Sequence, residues 1–157
     1  MKTASEQICF QEIPDEISLS LYISNCPRHC EGCHSPWLHE DCGEDVMEKL
    51  PALLEQYKHL ITCVLFMGGD DDKQIADLKL ALKFCRQYNI KTALYSGSDY
   101  FTTDNELLDL LDYLKVGSYK KEYGSLKEKT TNQRLYQKIT GEWFDITNKF
   151  WCLGITL

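Results

Sequence analysis

Apolar positions along the chain switch between two periods. In residues 17–23, Ile17, Leu19, Leu21 and Ile23 alternate with Ser18, Ser20 and Tyr22. A period of two predicts a strand. In residues 44–58 the period lengthens, and Met47, Leu50, Leu54 and Tyr57 fall on one helical face, with Pro51 as a kink or a late start. Residues 61–67 form a continuous apolar run closed by Gly68-Gly69, which predicts a strand buried on both faces. Ile75, Leu78, Leu82 and Cys85 make one stripe within residues 73–88 and predict a second helix. Residues 92–95 read as a short strand ending at Ser96-Gly97, and Asp104 as the cap of a helix running to Leu111. Residues 113–116 read as a further strand ending at Gly117. The chain is then polar and charged to about Lys138, and apolar and aromatic beyond it. No repeat, low-complexity tract or linker interrupts this pattern, so residues 1–157 are expected to form a single domain.

Strands alternating with helices predict an α/β fold with a mostly parallel sheet. Functional groups of such sheets collect at the carboxyl ends of the strands. The residues found there are Asn25-Cys26 onward, Gly68-Gly69-Asp70, Ser96-Gly97-Ser98 and Gly117-Ser118-Tyr119. All four sets are therefore expected on one edge, with the cysteines and the glycine loops converging in space.

Composition narrows the class. With 157 residues, 43% of them apolar, roughly two-thirds of the unfolded surface can be buried. The length falls short of the roughly 250 residues of an eight-unit barrel. No apolar run reaches the roughly 18 residues of a membrane span, and MKTASEQICF lacks the basic and apolar regions of a signal peptide. A cytoplasmic protein without membrane partners is expected. Seventeen basic against 24 acidic residues give a net charge of −7, which argues against nucleic acid as a partner. The balance reverses locally: residues 115–138 carry Lys115, Lys120, Lys121, Lys127, Lys129, Arg134 and Lys138 against only Glu122 and Glu128. That stretch is either a solvated face or a contact for something anionic.

Of the eight cysteines, Cys26, Cys30 and Cys33 stand in a C-x3-C-x2-C loop directly after the first predicted strand. Three thiolates on one loop can hold three irons of a [4Fe–4S] cube and leave the fourth open, or complete the set with Cys42. They can also bind zinc with His29, His34, His39 or Cys42, or remain ordinary thiols. Gly68-Gly69 allows backbone to approach a ligand closely. Asp70, Asp71 and Asp72 either cap the next helix or hold a ligand ammonium. Cys63 and Cys85 lie on apolar stripes and are expected in the core, while Cys9 and Cys152 carry no motif. His39 and His59 are expected at the surface, and Trp143, Phe144, Phe150 and Trp151 in a C-terminal core or an apolar interface.

Together these residues resemble the radical S-adenosylmethionine (SAM) superfamily, whose C-x3-C-x2-C loop follows the first strand and whose Gly-Gly-Glu-type motif follows the second. Within it, the chain is most similar to the group that activates anaerobic ribonucleoside-triphosphate reductase. The likeness rests on Gly32 before the third cysteine, on Tyr95-Ser96-Gly97, and on Thr130-Thr131-Asn132-Gln133-Arg134, which matches a Ser-Ser-Asn-Gln-Arg element. It departs from the pattern at Asp70, where Glu is common, at His34-Ser35, and at Val116-Gly117, where Asp-Gly is common.

The resemblance implies a partial (β/α) barrel, an open, mostly parallel sheet with flanking helices. It implies a [4Fe–4S] cluster on Cys26, Cys30 and Cys33, and SAM chelating the open iron. Gly68, Gly69 and Asp70 would receive the SAM ammonium, Gly32 and His34 would lie beside the adenine, Ser96 near the ribose or methionine, and Cys33 would count among the cofactor-binding residues as well as the cluster ligands. It implies an oxidoreductase that takes an electron from an external donor such as flavodoxin or ferredoxin, cleaves SAM, and generates a glycyl radical on the reductase. So short a chain suits a macromolecular substrate that supplies the missing wall, with residues 115–138 as the candidate contact. Activation of a different glycyl-radical enzyme and a zinc-stabilised binding module without catalysis are the alternatives.

Overall fold

In the computed structural model, which describes residues 1–151, the alternation of residues 17–23 sends two sets of side chains to opposite faces of one sheet. The strands are Lys2–Cys9 (β1), Ser18–Ile23 (β2), Glu44–Asp45 (β3), Cys63–Met67 (β4), Lys91–Tyr95 (β5), Tyr113–Val116 (β6), Arg134–Ile139 (β7) and Glu142–Asp145 (β8). The helices are Val46–Tyr57 (α1), Ile75–Arg86 (α2) and Asn105–Asp109 (α3). Strand order is β3-β1-β2-β4-β5-β6-β7-β8. The four central strands, β2, β4, β5 and β6, run parallel. Antiparallel strands flank them: β1 pairs with β2 and with β3, β7 with β6, and β8 with β7.

Period two decides which residues build which core. Leu19, Leu21, Ile23, Val64, Phe66, Leu94 and Leu114 face the helices and pack on Leu50 and Leu54 of α1 and Leu78, Leu82 and Cys85 of α2. Cys63, Leu65, Ala93, Tyr113 and Leu135 face the other way, where Ile13, Leu126, Ile146 and Phe150 cover them from loops and a final 3-10 turn, Thr147–Trp151. Cys63 and Cys85 are thus core thiols, and burial pushes Cys85 up to about 12.

The helix starts follow capping chemistry. Asp45 accepts from the Met47 N–H at 2.8 Å and Asp104 from that of Leu107 at 3.0 Å. Pro51 lies inside α1 rather than at its start. The flanking strands β1, β7 and β8 stand where no strand is predicted. β1 reads KTASEQIC, without an apolar alternation, and is held by backbone pairing to β2. β7 and β8 are joined at Thr140-Gly141, both at positive φ (50° and 88°), the geometry of a tight hairpin turn. Among the described residues no helix is long and apolar enough to cross a membrane. Cys152 lies outside the described residues.

Candidate functional site

The sheet register lines up Tyr22, Met67, Tyr95 and Lys115 as direct neighbours on β2, β4, β5 and β6. Each is the last or penultimate residue of its strand, so the segments that follow leave the sheet side by side. They enclose a cavity of about 540 Å³ lined by Cys26, Cys30, Cys33 and His34, by Gly68, Gly69 and Asp70, and by Ser96. Every site residue expected from sequence lies on this cavity except Gly32. Gly32 sits on the same loop with φ +69°, and a side chain there would meet Tyr119 at 3.6 Å and Lys121 at 3.8 Å.

Backbone bonds shape the cysteine loop. The Asn25 N–H donates to Glu40 O at 3.0 Å and that of Cys26 to Leu38 O at 2.9 Å, which closes the loop at its neck. The Cys33 N–H donates to Cys30 O at 3.1 Å, and that of Ser35 to Cys33 Sγ at 3.4 Å. The His34 ring packs on Tyr119, with centroids 4.5 Å apart, and His29 on His39 at 4.3 Å. All three cysteines of the loop are free and half-buried. Burial pushes the Cys26 thiol above its ordinary range.

The loop after β4 separates the three aspartates by role. Gly68 and Gly69 both take left-handed backbone (φ +97° and +90°), which turns the chain over the cavity. Asp71 organises the approach to α2, accepting from the Lys73 N–H at 3.0 Å and from Gln74 Nε2 at 2.8 Å. Asp72 is exposed. Asp70 turns toward the cavity, where its Oδ2 accepts from Ser96 Oγ and meets Arg28 at 3.4 Å.

Lys115 was expected among the surface charges of residues 115–138, and its position corrects that expectation. It is only 7% exposed and lines the cavity. Its Nζ donates to Ser96 O at 3.2 Å and Gly117 O at 2.6 Å. Burial draws its pKa down to about 8. The signal was the alternation of β6, in which Tyr113 and Lys115 share the face opposite Leu114 and Val116.

The Asn-Gln-Arg element forms a wall beside this lysine. Gln133 lines the cavity, and a Cβ on Gly117 (φ +103°) would stand 2.8 Å from Gln133 Cα, so the two loops pack backbone to backbone. Asn132 Nδ2 donates to Ser118 O at 3.0 Å. Arg134 turns inward to Thr131 O and Gln133 O, both at 2.7 Å.

The donor set fits an iron–sulfur cluster. Thiolates are soft ligands suited to such clusters. A cube attaches each thiolate to a different iron and needs the sulfurs set apart, whereas one tetrahedral zinc needs them about 3.8 Å from each other. Cys26, Cys30 and Cys33 all line the one cavity, and each can attach to a different iron. A family model described as a 4Fe-4S single cluster domain matches residues 17–139, the span from the start of the parallel sheet to the end of β7. No curated protein matches the chain.

Proposed function

The chain belongs to the 4Fe-4S single cluster domain family, and from that premise we propose that this iron–sulfur protein is a radical SAM activase. The observation that carries the reading is the convergence of Cys26, Cys30 and Cys33 with Gly68, Gly69, Asp70 and Ser96 on one cavity. Its volume of about 540 Å³ suits a ligand of SAM size, since small-molecule sites run from about 300 to 1,000 Å³. The four parallel strands that carry these residues serve as one wall of a partial (β/α) barrel.

In this reading Cys26, Cys30 and Cys33 hold the [4Fe–4S] cluster. Asp70, fixed by Ser96, receives the SAM ammonium, and Gly68 and Gly69 bring backbone against the methionine part. Gly32 and His34 lie beside the adenine, with Tyr119 packed on the His34 ring. The cluster and SAM, once held there, would supply reductive cleavage of SAM and removal of a hydrogen atom from a glycine Cα, with the electron drawn from an external donor such as flavodoxin or ferredoxin. The protein contributes placement and exclusion of water and oxygen. The glycine belongs to anaerobic ribonucleoside-triphosphate reductase, a choice supported by the match of Thr130-Thr131-Asn132-Gln133-Arg134 to that group of activases and by the position of Gln133 on the cavity.

Electron paramagnetic resonance tests the reading. The protein is reconstituted anaerobically with iron and sulfide, reduced, and measured with and without SAM. A [4Fe–4S]⁺ signal that changes shape with SAM is the expected result. A cluster signal indifferent to SAM, or zinc in place of iron, overturns it.

A further inference from the structure

Gln133 is a buried amide with an unused head. The residue is 6% exposed and lines the cavity. Its backbone is fixed. The N–H donates to Thr131 Oγ1 at 3.1 Å, the carbonyl accepts from Arg134 Nη1 at 2.7 Å, and Gly117 packs on its Cα too closely for a side chain to stand between them. The side-chain amide is not fixed in the same way. Nε2 reaches only Gly124 O, at 3.4 Å, which is beyond the usual N–H···O range. Among the described residues no group donates to Oε1, and protein atoms do not seal that oxygen from the cavity. A buried amide ordinarily has partners at both ends. Here an acceptor and a donor are left for a bound molecule.

The position of Gln133 in the fold bears on which molecule that is. The residues read as holding the cluster and SAM follow β2, β4 and β5. Gln133 comes from the segment between β6 and β7, with Ser125, Leu126 and Lys127, which also line the cavity. That wall faces the second reactant. A glycine has no side chain, so the polar groups next to its Cα are its own N–H and C=O. In an extended chain the two point to the same edge, which is how paired antiparallel strands exchange two bonds between facing residues. A glutamine amide presents an acceptor and a donor side by side and matches that edge. We infer that Gln133 binds the backbone of the substrate glycine, with Oε1 accepting from its N–H and Nε2 donating to its C=O. The pairing holds the residue in one orientation and leaves its Cα hydrogens free. The inference rests on the activase reading and names the form in which the substrate enters, an extended glycine segment of a protein.

The cavity walls make the pairing selective. Met67, Leu126 and Phe150 are apolar and line the same space. Where water is kept out, a substrate without the peptide N–H leaves Oε1 unpaired, and that loss counts against it.

The test uses protein carrying an oxidised cluster, so that no SAM is cleaved, and reads binding by saturation-transfer NMR. The probes are N-acetylglycinamide, which has the glycine N–H, and N-acetylsarcosinamide, in which a methyl group replaces that hydrogen. Each is titrated with and without SAM against the wild type, Gln133→Met and Gln133→Glu. The wild type should bind the glycine probe about threefold to tenfold more tightly than the sarcosine probe. Gln133→Met, which keeps the length and loses the amide, should bind both equally. Gln133→Glu, which keeps the acceptor, should retain the preference. An iron content of about four per chain in each variant controls for folding. A wild type without a preference, including one that binds neither probe, overturns the inference. So does a Gln133→Met protein that keeps the wild-type ratio, and if its SAM affinity falls at the same time, the amide serves the cofactor instead. The activase reading is judged separately, by the SAM-sensitive resonance of the wild type. Should that resonance be indifferent to SAM, the reading fails and the titration without SAM decides the role of Gln133. A preference lost in Gln133→Met then sustains the peptide site, and equal binding by the wild type overturns it.

Discussion

Ser96 Oγ donates to Asp70 Oδ2 across the ends of two neighbouring parallel strands, at 2.5 Å. The same hydroxyl oxygen accepts from the Ser98 N–H at 2.9 Å, and the Ser96 N–H donates to Lys115 O at 2.9 Å. The hydroxyl is therefore fixed on both sides and holds the carboxylate toward the cavity. Arg28 Nη2, at 3.4 Å, is the competing partner.

From that relationship, Ser96→Ala should free Asp70 to swing toward Arg28. A hydrogen bond to a charged group contributes about 1.5–3 kcal/mol, so SAM affinity should fall about tenfold or more. Asp70→Asn removes the charge itself and should cost at least as much. Anaerobic calorimetric titration reads both. Affinities equal to the wild type in the two variants would remove Asp70 from the ammonium site.

At the opposite end of the sheet, Glu16 serves stability. Its Oε1 accepts from Tyr113 Oη at 2.6 Å and Lys91 Nζ at 2.5 Å, and Gln137 donates to Tyr113 Oη at 3.1 Å. Burial alone would raise this carboxyl, but bonds from Lys91, Thr62 and Tyr113 outweigh it, and its pKa lies below the usual range. A carboxyl lowered on folding stabilises fully above its unfolded pKa of about 4.3 and loses that contribution as pH falls through the folded value. Glu16→Gln should therefore lose about 2 kcal/mol at pH 7. The gap to the wild type should narrow as the pH drops below about 4. Urea unfolding at both pH values checks this, and a gap that widens in acid contradicts the assignment.

Within the mixed eight-stranded sheet, the four parallel strands were legible because they are apolar in a way that only a covered strand requires. Leu19, Leu21 and Ile23 alternate, and Cys63–Met67 is apolar throughout. The convergence of these loops on one cavity was legible because Gly68-Gly69 and Ser96-Gly97 stand directly after those strands. β1 was not, since Thr3, Ser5 and Gln7 give no apolar period and the strand is held by pairing to its neighbour. The β7–β8 hairpin was hidden by a Thr140-Gly141 turn in place of the usual Asn-Gly. Lys115 was misplaced because a count of charges ignores which face of β6 each one occupies. Asp70 and Asp71 both line the cavity, but it is Asp70 that meets Ser96 and Arg28 there, and composition carries no trace of that division.

The cysteines divide by position. Cys26, Cys30 and Cys33 line the cavity, whereas Cys42 Sγ lies 4.0 Å from Trp37 O and its carbonyl accepts from Ser24 Oγ at 2.6 Å. Serine at position 26, 30 or 33 should abolish the cluster after reconstitution. Cys42→Ser should keep about four irons per chain and a SAM-sensitive resonance. Iron and sulfide analysis separates the cases. Loss of the cluster in Cys42→Ser would make it a fourth ligand and close the iron that the proposed chemistry needs open.

The basic stretch contributes fewer free charges to a partner than its composition suggests, since Lys115 and Arg134 turn inward to carbonyls. Lys138 likewise donates to a carbonyl, Leu108 O at 2.6 Å. Lys121 packs beside Gly32, Lys120 sits over the Tyr123 ring at 6.0 Å, and Lys127 borders the cavity with its Nζ donating to Gln11 at 3.2 Å. A protein substrate that offers its glycine to this cavity must pass these charges, and an acidic rim on the reductase would be drawn to them. Reversing Lys120, Lys121 and Lys127 to Glu should weaken reductase binding about tenfold or more at low salt, mainly through slower association. The effect should shrink as salt rises, because exposed charges are screened over about 10 Å at 0.1 M. Surface plasmon resonance at two ionic strengths reads the association rate, and the yield of glycyl radical should fall in step with it. A variant that binds with wild-type rate and wild-type salt dependence would place the reductase on another face.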